Sequence, residues 1–169
     1  MSKDIVNRVS KSPIVNIDLE VYWPKEPQTS IDISQWLENG YLVREKPFRS
    51  ALISHDWNQY KNHYIRLFCS TEAVLPGWTH LLVSTYLHGI AKFVVQGTEE
   101  EFLNKIYTQI VNEIDMEPFR DKPIMINGCG SKEIPQDALV QLVQRIQKVA
   151  RSVFFGEACS NVPLWKKRV

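Results

Sequence analysis

The chain contains 169 residues, of which 44% are hydrophobic and 23% are charged, so it can bury a sizeable core without disulfides or metal. Its formal net charge at pH 7 is +1, which provides no long-range attraction for nucleic acid. No apolar run approaches the roughly 18 residues that a membrane span needs, so we expect a protein that binds neither nucleic acid nor membrane.

The N-terminal third predicts one strand and two helices. Apolar and polar residues alternate over 14–23, which is typical of a strand with one buried face in an antiparallel or edge position. The segment 23–30 contains two prolines and predicts a surface loop. Asp32 is then placed to cap a short helix that ends near residue 40, and a second helix is predicted over 47–55.

From residue 64 onward, predicted strands and helices alternate. Short apolar segments indicate the strands, and apolar residues at helical spacing indicate the helices between them. Thr98 and Glu101 have the spacing of a capping box at the start of the second of these helices. The strands are predicted at 64–69, 91–97, 122–128 and 152–156, and the helices at 76–88, from 98 and from 135.

This alternation predicts an α/β fold with an open, mainly parallel sheet and helices on its faces. The N-terminal strand and helices are expected to pack at an edge of that sheet. We therefore predict a single domain over 1–169, with an N-terminal strand and helix layer over 1–63 and an α/β core over 64–169.

The three cysteines of the chain, Cys69, Cys129 and Cys159, each follow a predicted strand closely. Ligands of open α/β sheets bind at the carboxyl ends of the strands, so we expect at least two of these thiols to share a site. The N-terminus lacks the apolar core of a signal peptide, and the expected compartment is the cytoplasm. An odd number of widely spaced cysteines there argues against a disulfide framework. Buried, inert cysteines are the alternative.

Three converging thiolates most simply form a metal site, and thiolate suits zinc, iron or an iron–sulfur cluster. Because four protein ligands are usual, His55 is the best candidate for the fourth, with Asp56 placed to orient its imidazole. Glu157 is a competing ligand or acid. The alternative for His55 and Asp56 is a helix cap with a local hydrogen bond, and for Glu157 a solvated loop carboxylate. No CxxC motif supports the metal site, so it depends on topology alone.

The turn after the third predicted strand indicates a second function. Its glycines precede Pro135 and a helix N-terminus, where backbone amides are able to bind an anion. A nucleophilic Cys129 that acts on a phosphate-like or carboxylate substrate is therefore an alternative, although no histidine is clearly placed as its general base. A thiol-dependent enzyme that uses Cys129 or Cys159, and an interaction scaffold with inert cysteines, thus stand beside the metal-binding hypothesis.

Several segments of the chain carry a resemblance in combination: HDWNQYKNHY, LFCS, INGCGSKEIP and FGEACSNVPLWKK, with KDIVNRV and NIDLE near the N-terminus. Together they resemble the bacterial domain-of-unknown-function family numbered 2480 over essentially the whole length. The resemblance implies a small cytoplasmic bacterial protein with no established activity and no agreed catalytic residues. It also implies a gene often encoded beside iron–sulfur cluster assembly genes of the sulfur-mobilisation type.

The resemblance and the cysteine positions together predict a thiolate-rich metal or iron–sulfur binding accessory protein. Its expected cofactor is zinc, iron or an iron–sulfur cluster, and its expected partners are iron–sulfur assembly proteins. A homodimer is the default expectation for its oligomeric state, because small soluble oligomers are commonly twofold.

Overall fold

The computed structural model describes residues 14–128, 130–157 and 160–168. The chain divides into two compact units. The central unit is Pro24–Lys105, and the terminal unit combines the chain up to Trp23 with the chain from Ile106 onward. The single domain remains a prediction. None of the helices in the described ranges is long and apolar enough to cross a membrane.

Strands and helices alternate along most of the chain, with short 3-10 turns between them. The strands are β1 (Val15–Ile17), β2 (Gln28–Asp32), β3 (Tyr64–Phe68), β4 (Phe93–Gln96), β5 (Pro123–Ile126), β6 (Ser152–Glu157) and β7 (Ser160–Lys166), and the helices are α1 (Glu45–Ser54), α2 (Trp78–Leu87), α3 (Glu99–Glu113) and α4 (Gln136–Ile146).

The terminal unit contains a four-stranded sheet in the order β1-β5-β6-β7. The first three strands are parallel, with Ile126 opposite both Ile17 and Phe155, and β7 returns antiparallel to β6. All four residues of β5 are buried, as expected for a central parallel strand covered on both faces. Helix α4 buries Ala138, Leu142 and Ile146, which recur at helical spacing.

The central unit contains a three-stranded, wholly parallel sheet in the order β2-β3-β4. Its core joins the apolar face of this sheet to one face each of α1 and α2. The core residues include Ile31, Ile65 and Leu67 from the strands, Phe48 and Leu52 from α1, and Val83 and Leu87 from α2.

The predicted fold class is confirmed, because the structure is α/β with open, mainly parallel sheets and helices. All four strands predicted after residue 64 are present, but β3 and β4 belong to one sheet whereas β5 and β6 belong to the other. A strand–helix alternation determines that pairing is parallel, yet it does not determine which strands are neighbours. The N-terminal segment supplies an edge strand to each sheet, β1 to one and β2 to the other.

Three expectations about strands were wrong. The alternation over 14–23 continues as a strand only to Ile17, because Asp18 accepts a hydrogen bond from the Glu20 amide and begins a 3-10 turn. The second error concerns β2, whose first three residues lie in the segment 23–30 that was predicted as a surface loop; all five of its residues pair in parallel with β3. The third error concerns β7, which the sequence did not predict. This edge strand is exposed along most of its length and contains Pro163, so it lacks the buried alternation that identifies strands.

Both predicted helix caps are confirmed. The Thr98 amide donates to the Glu101 carboxylate at 2.7 Å, and the Glu101 amide donates to the Thr98 hydroxyl at 3.1 Å. Asp32 accepts a hydrogen bond from the Ser34 amide at 2.9 Å, but the helix that was predicted to end near residue 40 is only a 3-10 turn over Ile33–Trp36. These contacts span only two or three residues, which is why local sequence was sufficient to predict them.

Candidate functional site

A cavity of about 390 Å³ lies at the carboxyl ends of β1 and β5 in the terminal unit. This is the edge at which open α/β sheets bind ligands. Three segments line it: the turn after β1, the loop after β5 and the start of α4. The lining residues are Asp18, Leu19, Glu20, Asn127, Gly128, Gly130, Lys132, Glu133, Ile134, Gln136 and Leu139.

A hydrogen bond joins the turn after β1 to the loop after β5. Oε1 of Glu20 accepts the Lys132 amide at 2.7 Å, across 112 residues of sequence. Gly130 lies so close to Glu20 that a Cβ at this position would overlap its carboxylate. The absence of a side chain at Gly130 therefore lets the Glu20 carboxylate approach the loop.

The same hydrogen bond bears on the anion site predicted in this loop. The Lys132 amide does bind an anion, but that anion is the protein's own Glu20 carboxylate. An external phosphate or carboxylate would have to displace Glu20 to reach this amide. The loop geometry thus gives no support to an anionic substrate beside Cys129.

The charged residues that line the cavity are mostly acidic. Asp18, Glu20 and Glu133 contribute carboxylates, and Lys132 contributes the one cationic side chain among the described lining residues. The Lys132 Nζ atom lies 5.1 Å from the ring centroid of Trp23, in cation–π geometry. The negative balance favours a cationic ligand over an anionic one.

Tyr107 of α3 is buried behind this turn. Its hydroxyl donates to the Leu19 carbonyl at 3.4 Å, and its ring meets that of Trp23 edge-on at 6.3 Å. Burial, and then the negative charges of Glu20 and Asp18, raises the pKa of Tyr107 to about 12. The phenol is therefore a neutral donor near pH 7. Nothing in the sequence distinguishes Tyr107 as a functional residue, since it lies within the apolar pattern of helix α3.

Two of the predicted metal ligands, Cys129 and Cys159, lie outside the described residues. Their neighbours are described. Gly128 and Gly130, on either side of position 129, both line the cavity. Glu157 is the last residue of β6, and Ser160 is the first of β7. Because β5 and β6 are parallel neighbours, both segments leave the same edge of the sheet.

Cys69 follows β3 in the central unit and is half-buried. Its Sγ lies 3.3 Å from the Thr71 hydroxyl, which donates to the Gly40 carbonyl at 2.6 Å. The thiol thus participates in a local hydrogen-bonded turn.

His55 also lies in the central unit, at the end of α1, within an aromatic cluster. Its Nε2 is 3.0 Å from the Tyr60 hydroxyl, and its ring centroid is 4.7 Å from that of Trp57 and 5.2 Å from that of Trp36. Asp56 accepts the Asn58 amide at 3.0 Å and thus caps the next turn. These contacts match the structural alternative that the sequence left open for His55 and Asp56.

Within residues 14–128, 130–157 and 160–168, no three His, Cys, Asp or Glu side chains form a group that could hold a metal ion. This result does not test the predicted ligand set, because two of its three cysteines are outside those ranges. The set of Cys69, Cys129, Cys159 and His55, with Asp56 and Glu157 beside it, remains a prediction.

The carboxyl edge of the central sheet is hydrogen-bonded within itself. Asp32 accepts the Ser34 amide at 2.9 Å and the Ser70 amide at 3.1 Å, and the two serine hydroxyls are 3.1 Å apart. Burial acts to raise the pKa of Asp32, but the hydrogen bonds from Ser70 and Ser34 outweigh it and lower the pKa. The ionised carboxylate therefore joins β2 to β3 at this edge.

The model of a family described as "Protein of unknown function (DUF2480)" matches residues 3–167. Neither the curated proteins nor the solved structures contain a significant match.

Proposed function

The chain belongs to the DUF2480 family, and we propose that it is an accessory protein that binds a metal ion or an iron–sulfur cluster. The proposed site is the carboxyl edge of the terminal unit's sheet. Cys129 and Cys159 supply thiolates there. The acidic cavity beside Gly128 and Gly130 supplies a negative field and carboxylate oxygens.

The order β1-β5-β6 supports this proposal above all. The parallel pairing of β5 with both neighbours makes three chain segments leave the sheet at one edge. One segment carries Asp18 and Glu20, the second carries Cys129, and the third carries Cys159. Parallel strand ends are about 5 Å apart, so loops a few residues long are able to bring their side chains together.

The donor types suit a soft or borderline cation. Thiolates select zinc, iron and iron–sulfur clusters, and carboxylates add negative charge that stabilises the bound cation. Cys69 and His55 belong to the central unit and have partners there, so we assign the primary site to Cys129 and Cys159.

An accessory role in iron–sulfur assembly suits a site with few thiolates. A site with fewer than four protein ligands leaves coordination positions for a partner or for transfer of the cluster. The expected partners are therefore iron–sulfur assembly proteins. We place the protein in the cytoplasm, where thiols remain reduced.

The test is purification without air, followed by visible absorption and elemental analysis. We expect stoichiometric metal in the natural protein, a loss of that metal in Cys129→Ser and Cys159→Ser, and retention in Cys69→Ser as the matched control. Glu20→Gln should lower metal retention less than either cysteine variant, because Glu20 is held by the Lys132 amide.

Two results would contradict the proposal. A metal-free, colourless protein with one rapidly alkylated thiol would favour a thiol-dependent enzyme. Three thiols that react slowly in the folded protein, again without metal, would favour an interaction scaffold with inert cysteines.

A further inference from the structure

A second concave surface lies at the opposite end of the terminal unit's sheet. It is a groove of about 750 Å³ at the start of β5 and β6 and the end of β7. Its volume is within the range of small-molecule sites. We call it the amino-edge groove, since it is formed at the amino ends of the parallel strands.

The amino-edge groove has an apolar floor. Phe154 of β6 and Leu164 and Trp165 of β7 contribute to it. Leu164 is 47% exposed, which is high for a leucine in a strand. Burial of apolar surface of this kind against a ligand is favourable in proportion to the area that is removed from water.

Two cationic residues, Arg151 and Lys166, line one end of this groove. Arg151 precedes β6, and Lys166 is the residue of β7 opposite Ser152. The Lys167 amide donates to the Arg151 carbonyl at 3.0 Å, which keeps the ends of the two strands together. The two positive residues are thus brought to the same end of the groove from neighbouring strands.

These cations have no acidic partner in the part of the chain that the structure describes. The neighbouring Lys167 does have one, since its Nζ lies 3.5 Å from an Asp121 oxygen. No carboxylate forms an ion pair with Arg151 or Lys166 among the described residues. A bound anion would supply the counter-charge that both cations lack among these residues.

We propose that the amino-edge groove binds a small amphipathic carboxylate. Its apolar chain or ring packs against Phe154, Leu164 and Trp165, while its carboxylate is held by Arg151 and Lys166. Arginine presents paired donors that match the two oxygens of a carboxylate, and lysine adds a point charge. This site is at the opposite edge of the sheet from the proposed metal site and does not depend on it.

The proposal is tested by calorimetric titration of the full chain with octanoate. Acetate supplies the head group alone and octanol the apolar chain alone. We expect octanoate to bind at least about tenfold more tightly than either analogue, because only octanoate places a charged head group and an apolar chain in the groove at once. Its affinity should also fall as salt is raised, since exposed charges are screened.

Two double variants separate the groove from charge in general. The pair Arg151→Gln and Lys166→Gln should weaken octanoate binding by about tenfold or more. The matched control is Lys105→Gln with Lys148→Gln, which removes two exposed cations elsewhere and should leave the affinity unchanged. All four residues are exposed, and thermal unfolding verifies that each variant folds.

Three results would overturn the proposal. One is an absence of octanoate binding, another is equal weakening by both double variants, and the third is octanol binding as tight as that of octanoate. If the groove is instead covered by a second copy of the chain, sedimentation will show a dimer, and octanoate will fail to bind at concentrations where that dimer persists. The metal content of the natural protein is measured separately and does not change with any of these results.

Discussion

The central unit and the terminal unit both place polar residues after parallel strands, but they use them differently. In the central unit, Asp32 and Ser70 hydrogen-bond to each other across β2 and β3. In the terminal unit, Asp18 and Glu20 line a cavity beside a glycine-rich loop. A carboxylate after a strand is therefore not a functional signal by itself. The two sheet edges differ in whether neighbouring hydroxyls and amides occupy the space after the strands or leave a cavity there.

The largest loss of stability is expected for Gly128→Ala, which adds a methyl group at a residue that lines the terminal unit's cavity. A Cβ at Gly128 would overlap the ring of Phe155 on β6. Overpacking of this kind costs about 2–3 kcal/mol, measurable as a lower free energy of unfolding in urea. Gly77→Ala in the central unit is the control, because its Cβ would meet no atom within 4 Å. Equal losses in both variants would contradict the close packing inferred at Gly128.

The next largest effect on the free energy of unfolding is expected at alkaline pH. The pKa of Tyr107 is raised from 10.0 to about 12, so the folded state favours the neutral phenol. Stability from this group is fully present below pH 10 and is lost as the pH rises from 10 through about 12. We expect a loss of about 2 kcal/mol over that interval, from urea unfolding at each pH.

Tyr107→Phe should remove most of this alkaline loss. Tyr41→Phe is the control, because Tyr41 is 62% exposed and its replacement should not alter the pH dependence. If Tyr107→Phe loses as much stability at alkaline pH as the natural protein does, the loss arises from groups other than Tyr107.

Asp32→Ala tests whether the hydrogen bonds of Asp32 at the carboxyl edge of the central unit's sheet stabilise the fold. It removes a cap and the link to Ser70, and we expect the free energy of unfolding to fall by about 1 kcal/mol. Because the pKa of Asp32 is lowered from 3.8, its contribution is present above pH 3.8 and is lost as the pH falls through the lower folded value.

The control for Asp32→Ala is Glu72→Ala, which removes an exposed carboxylate two residues after Ser70 and should leave stability unchanged. Asp32→Ala should also leave bound metal unchanged. A loss of metal in Asp32→Ala, at a pH where the variant is folded, would mean that the two edges are not functionally distinct.

The smallest effect is expected for Cys69→Ser. Serine retains a hydrogen-bonding group beside Thr71, so the free energy of unfolding should change by less than about 0.5 kcal/mol. Thermal unfolding and elemental analysis of the same sample measure stability and metal together. A marked loss of metal with normal stability would return Cys69 to the primary ligand set.

Local signals in the sequence were sufficient for the caps and for most strands and helices. The Thr98 and Glu101 cap joins residues three apart, and the apolar spacing of α3 and α4 reports directly which face is buried. The strand positions at β3 and β5 followed from short apolar runs. Each of these features depends on residues close together in the chain, so no knowledge of the fold was needed.

Contacts between distant parts of the chain fix which strands share a sheet and which carboxylates share a cavity. The contact between Glu20 and the Lys132 amide spans 112 residues, and no periodicity in the sequence encodes such a pairing. The placement of β5 beside β1, and of β3 beside β2, depends on how apolar faces pack together. Local sequence patterns were thus enough to predict the α/β class and the residue types at the strand ends. Packing within each unit determined which of those ends became a closed hydrogen-bonded edge and which became a cavity, because long-range burial selects strand neighbours that local pattern leaves equivalent.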